Sequence, residues 1–148
     1  MSWFCKRVVV LVALVATVAC GSSNETPTAP TGPSMTETFT GGFEIQGVGP
    51  VHNFSIQKSN GLLNMVVTAV TSVATAAPAG VPVGIALGSQ TSGGCVAISG
   101  AQATVQAGTT SITSGLSGTA NAGAYCFIVF DVGSLTGAVT YSVDVSHF

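Results

Sequence analysis

From Val139 to Val145 every second residue is apolar: Val139, Tyr141, Val143 and Val145 alternate with Thr140, Ser142 and Asp144. Successive side chains of an extended chain point to opposite faces, so this stretch predicts a strand with one buried and one wet face. Ahead of it, Tyr125 to Phe130 is apolar at every position. That pattern predicts an inner strand covered on both sides. A turn across Gly133 to Gly137 separates the two runs. Both strands need a facing layer, and the layer expected is a second sheet.

Composition supports an all-β reading. Only 5% of the 148 residues are charged, against roughly a quarter in ordinary domains. A disordered chain pairs low hydrophobicity with high net charge, whereas this one is 47% hydrophobic with β-branched residues in runs. Glu, Lys, Arg and Leu are scarce, and Gly or Ser interrupts the chain at short intervals. These features disfavour helices and predict one domain of short strands.

The chain opens with Lys6-Arg7 and a mostly apolar run from Val8 to Ala19. That run is too short to span a bilayer, so residues 1–19 read as an export signal. The sequence Thr17-Val18-Ala19-Cys20-Gly21 resembles the cleavage box of bacterial lipoproteins, with Thr17 where those boxes favour Leu. The resemblance implies that Cys20 is acylated and becomes the first mature residue, holding the protein to a membrane. Gly21 after the cysteine resembles lipoproteins sent to the outer membrane, which implies a cell-envelope or surface location. Residues 20–35 then form the lipidated cysteine and a tether. Pro27, Pro30 and Pro33 stand among small polar residues, and a polyproline-like chain of this length reaches up to roughly 45 Å.

Residues 36–148 are expected to form the folded domain. Thr36 to Thr40 alternates as a strand. Val51 to Ser59 and Leu62 to Val70 flank Asn60-Gly61, the dipeptide favoured by a two-residue hairpin turn. Pairing Ser59 with Leu62 sets Ile56 opposite Met65 and Phe54 opposite Val67 on one face. The same register sets Gln57 opposite Asn64, and Asn53 opposite Thr68, on the other. Val83 to Leu87 is a short strand followed by a turn over Gly88 to Gly94, and Cys95 to Ile98, Ala103 to Gln106 and Ser111 to Leu116 read as further strands. The sum is eight or nine strands. This spacing predicts an antiparallel two-sheet β-sandwich of jelly-roll or Greek-key type.

Of the four cysteines, Cys5 leaves with the signal and Cys20 takes lipid, so Cys95 and Cys126 remain as a disulfide pair. Closing a loop of this size is worth roughly 3–4 kcal/mol in the chain-entropy model. A zinc site is the weaker alternative, because His52 and His147 lack ligand spacing to the thiols.

No catalytic constellation is legible, and no cofactor is expected. From Cys20 onward the carboxylates are Glu25, Glu37, Glu44, Asp131 and Asp144, against Lys58 alone, a side-chain charge of −4. One cation cannot release the counterions that nucleic-acid binding needs. The carboxylates fall on separate elements, so no acid pair for sugar hydrolysis is indicated. Asp131 ends a strand where a loop begins; it is expected to cap the turn before Gly133, with calcium ligation through loop carbonyls as the lesser alternative. His52 reads as a satisfied half-buried side chain opposite Ala69, and His147 as surface. Gly88 to Gly94 lacks the Lys and Ser/Thr of a phosphate loop, and no Gly-x-Ser-x-Gly elbow occurs. Trp3 lies in the leader, and Tyr125 and Tyr141 fall on strands.

The segment Gly118 to Asp131, followed by Gly137 to Val145, resembles the end of bacterial pre-peptidase C-terminal domains, as does His52-Asn-Phe-Ser-Ile56. The resemblance implies a jelly-roll-like sandwich with a binding or targeting role. Val83 to Leu87 stands where such domains often carry an acidic Asp-x-Asp stretch, so their calcium site has no counterpart there. The expectation is a lipid-anchored envelope protein with a non-catalytic binding or structural role, recognising polysaccharide or protein through its loops. A subunit of a homopolymeric surface assembly is the alternative, since a nearly uncharged chain repels its copies little.

Overall fold

A computed structural model describes residues 34–106 and 116–148; the leader, Cys20, the tether to Pro33 and the expected strand residues 111–115 lie outside them. Eight strands are described: β1 (Met35–Phe43), β2 (His52–Ile56), β3 (Gly61–Ser72), β4 (Pro82–Thr91), β5 (Gly94–Gln106), β6 (Ser117–Ala120), β7 (Gly123–Asp131) and β8 (Val139–His147). They form two four-stranded sheets, sheet A in the order β1-β8-β3-β6 and sheet B in the order β2-β7-β4-β5. All pairings are antiparallel. The pairs β1–β8, β2–β7, β3–β6 and β4–β5 are nested, first with last. This is jelly-roll connectivity, in which a long antiparallel ribbon is wrapped so that successive pairs fall in alternate sheets.

That wrapping overturns the hairpin expected at Asn60-Gly61. β2 pairs with β7, setting His52 opposite Phe127 rather than Ala69, while β3 lies in the other sheet between β8 and β6. Asn60 takes the left-handed conformation (φ 58°), but Gly61 does not. The mirror-type hairpin turn requires positive φ at both residues, so the chain instead arches from one sheet to the other. The alternation count could not separate the two outcomes. Phe54 and Ile56 on β2, and Leu63, Met65 and Val67 on β3, all point into the core, and facing strands satisfy the same parity as paired ones.

The single hairpin among the described strands is β4–β5. Thr91 pairs with Gly94 around Ser92-Gly93, so the turn expected over Gly88 to Gly94 is only two residues long. Cys95–Ile98 and Ala103–Gln106, expected as separate strands, are one strand with an interruption. Gly88 pairs with Ala97 and Ala86 with Gln102, which leaves Ile98 to Ala101 out of the ladder, with Gly100 at φ 77°.

The core lies between the sheets. Met65, Ile85, Phe127, Val129, Val143 and Val145 are fully buried, with Phe54 and Val67 nearly so. Each such side chain contributes roughly 1.5–3 kcal/mol of transfer free energy. Phe39, His52 and Phe127 pack ring against ring across this layer, at centroid distances of 4.9–5.3 Å. The inner face of β7 is covered as expected. Its outer face is covered only in part: Cys126 is buried, whereas Ile128 and Phe130 remain partly exposed. The segment ahead of β2 lies along this strand, where Gly49 N–H donates to Val129 O (2.8 Å) and Asp131 N–H donates to Gly47 O (3.0 Å).

Candidate binding surfaces

Cys95 and Cys126 are disulfide-bonded, with Cα atoms 5.8 Å apart. Cys126 pairs with Gly88 of β4, and Cys95 with Gln90 of the same strand, so the bridge passes over β4 on the outer face of sheet B. Gly88 makes room for it. A Cβ there would stand 2.7 Å from Cys95 Sγ, inside any real contact distance, and 3.0 Å from Cys126 Sγ. Such a bridge is characteristic of an oxidising, extracytoplasmic compartment.

Asp131 holds the β7–β8 turn. Its Oδ1 accepts the backbone N–H of Gly133 (2.8 Å), Ser134 (3.0 Å) and Leu135 (3.3 Å), and its Oδ2 accepts that of Gln46 (2.8 Å). The Gln46 bond and the three turn bonds together hold its carboxyl below the usual value of 3.8, against a smaller opposing push from desolvation. The carboxylate therefore serves as the cap of this turn, with three of its four backbone donors on Oδ1. Among the described residues, no group of three or more His, Cys, Asp or Glu side chains is placed to hold a metal ion.

The histidines take two different positions. His52 is half-buried, its Nε2 2.9 Å from Tyr141 Oη across the sandwich. Desolvation lowers its pKa from 6.5 and pushes that of Tyr141 up to about 12, so each group is held neutral while bonded to the other. His147, expected at the surface, is 1% exposed. β8 continues to the end of the domain, and the alternation that buries Val143 and Val145 buries His147 as well. Its Nε2 lies 2.8 Å from Glu37 Oε1 of β1. A carboxylate only accepts, so Nε2 carries the proton, and Nδ1 is buried without a partner. These pairs join residues 89 and 110 positions apart. No local signal announces them.

Four well-formed clefts among the described residues have no charged side chain in their lining. The largest of these four, about 440 Å³, has a floor of Leu63, Leu87, Ile98, Ala101 and Leu116, and a rim of Ser99, Ser117, Thr119, Asn121 and Tyr125. Tyr125 is held in place there. Its ring stacks on Phe54 at 5.8 Å and its hydroxyl donates to Asn121 O (3.0 Å). A second groove of about 250 Å³ runs over the outer face of sheet B, between Val48, Val51, Ala86, Ala97 and Ile128. The sequence places Leu63, Leu87, Ile98 and Tyr125 on strands but does not gather the large cleft, whose walls come from five strands.

A scan against protein-family models and a search of curated proteins each found no match to the chain, so the likenesses to lipoproteins and to pre-peptidase domains rest on the residues quoted for them.

Proposed function

We propose that this chain is an exported, lipid-tethered, non-catalytic binding domain whose large cleft takes an uncharged polysaccharide segment. The observation that carries the reading is the make-up of that cleft: an apolar floor, a hydroxyl and amide rim, and no charge. A sugar ring offers the complementary pattern, with C–H faces for the floor and hydroxyls for the rim. The volume lies in the range of small-molecule sites, roughly 300–1,000 Å³. The disulfide agrees with export, and the Ala19-Cys20 junction supports the lipid anchor.

The test is a glycan array probed with the parent and with Gly118→Trp. Gly118 lines the cleft, and a Cβ there meets nothing within 4 Å, so the indole fills the site without disturbing the strand. The expected result is binding to a neutral glycan that is lost in Gly118→Trp and unchanged by a calcium chelator. Equal binding by both proteins, or none by the parent, refutes the reading. Metabolic labelling with a tagged fatty acid, lost in Cys20→Ala, tests the anchor separately.

A further inference from the structure

Among the described residues the two sheets have four edge strands between them, β1 and β6 in sheet A and β2 and β5 in sheet B. An exposed edge invites pairing with another chain, and natural proteins blunt it by shortening it or by charging it. Three edges here follow that practice. β6 is four residues long, β2 is bracketed by Pro50 before it and Lys58 after it, and β1 carries Glu37. β5 does not. It runs for thirteen residues without a proline or a charge, and past its interruption Gln102 to Gln106 form a regular ladder with Pro82 to Ala86.

We infer that Gln102–Gln106 of β5 pairs antiparallel with the same segment of a second copy of this chain, across a two-fold axis at Thr104. This goes beyond the binding role proposed above and stands on a different part of the molecule. A strand meeting its own copy brings any charge it carries close to the same charge on the partner; β5 has none. The register is self-complementary. With the axis at Thr104, Thr104 meets its counterpart, and Gln102 meets Gln106 of the other copy on the outer face. Ala103 meets Val105 on the inner face. A carboxamide both donates and accepts, so the Gln pairs satisfy each other. Gln106 spends one amide hydrogen on Gly80 O (3.2 Å) and keeps its carbonyl for the partner. Gln102, Thr104 and Gln106 are all exposed. Sheet B of one copy thereby runs into sheet B of the other, and the hydrogen-bonding groups left open along β5 are satisfied.

The test is cysteine trapping of the full chain in membranes, with the parent oxidised alongside. Thr104→Cys places a thiol at the axis, within reach of its own counterpart in a paired strand. Ser55→Cys does the same on the exposed edge strand β2. The expected result is a disulfide-linked dimer from Thr104→Cys on a nonreducing gel, with Ser55→Cys no higher than the parent. Thr104→Lys, which sets two cations face to face, should in turn shift the detergent-solubilised chain from dimer to monomer in sedimentation equilibrium. Trapping at Ser55 equal to that at Thr104 overturns the inference, as does a Thr104→Cys adduct with a different protein. A parent that stays monomeric at every concentration overturns it as well.

Discussion

The outer faces of the two sheets are built on opposite principles. Across β1 and β8 of sheet A the outward residues with side chains are hydroxyls and one acid, bonded across strands: Thr36 Oγ1 to Ser146 Oγ at 2.8 Å, and Thr38 Oγ1 donating to Asp144 Oδ1 at 2.7 Å. Along the middle of sheet B, where β7 and β4 run side by side, they include Ile128, Phe130, Ala86 and the disulfide, with Val48 and Val51 beside them about half exposed. Phe130 lies over Gly84 just as the disulfide lies over Gly88. One face therefore meets water directly, while the other carries its own cover, assembled from glycines, a sulfur bridge and a loop. A strand that is apolar on both sides need not sit between two layers of secondary structure. Local cover is enough.

If that cover is structural, its removal should have the largest effect of any change on either outer face. Replacing Cys95 and Cys126 together by Ser should lower stability by roughly 3–4 kcal/mol, the chain-entropy value for a bridge spanning 31 residues. Urea unfolding measures it. A loss no larger than that of an ordinary surface change would mean that the bridge adds nothing to the face. Next in size is Ile128→Thr, which trades a half-covered methylene and methyl for a hydroxyl and should lower stability by about 1 kcal/mol. The mirror change on sheet A, Ser142→Val, should be nearly neutral. Equal effects at the two positions would erase the contrast between the faces.

This contrast was partly legible in the sequence. Alternation in Val139 to Val145 separates a wet face from a buried one, and the apolar run from Tyr125 to Phe130 shows none; the two strands do lie in opposite sheets with different surroundings. What alternation does not encode is which strand pairs with which. Phe54 and Val67 point inward either in a hairpin or in two facing sheets, so the Asn60-Gly61 signal was free to mislead. The bridge was legible because the expected leader and lipid site set Cys5 and Cys20 aside and left Cys95 and Cys126 to pair. The large cleft and the His52–Tyr141 and His147–Glu37 pairs were not, because each is made by strands that the wrapping brings together from distant parts of the chain.

A third effect, smaller and graded, comes from protons. The His52 pKa is lowered from 6.5 by burial, so between 6.5 and its folded value the unfolded chain binds more protons than the folded one. Stability is therefore intact above 6.5 and declines as pH falls through the lowered value. Asp131 obeys the same sign at lower pH. Its backbone bonds hold the carboxyl below 3.8, and the stability they confer is present above 3.8 and lost as pH falls through the folded value. Melting temperature against pH should fall in two steps, the first removed by His52→Gln and the second by Asp131→Asn. A melting temperature that stays flat down to about pH 4 would remove His52 from this account.

The smallest effect expected is the one that best isolates the wet face. Thr38→Val deletes the bond to Asp144 and keeps the shape of the side chain and its β-branched preference for a strand. Water stands ready to replace the lost partner, since both side chains are exposed or half exposed, so stability should change by less than about 0.5 kcal/mol. The outcome bears on both faces at once. A small value means that the hydroxyl ladder of sheet A serves solubility rather than cohesion, and that the apolar cover of sheet B carries the outer-layer stability. A loss of more than about 1 kcal/mol would instead make the Thr38–Asp144 bond a clasp on the edge strand β1. In that case both faces would hold the sandwich together, one by hydrogen bonds and the other by packing.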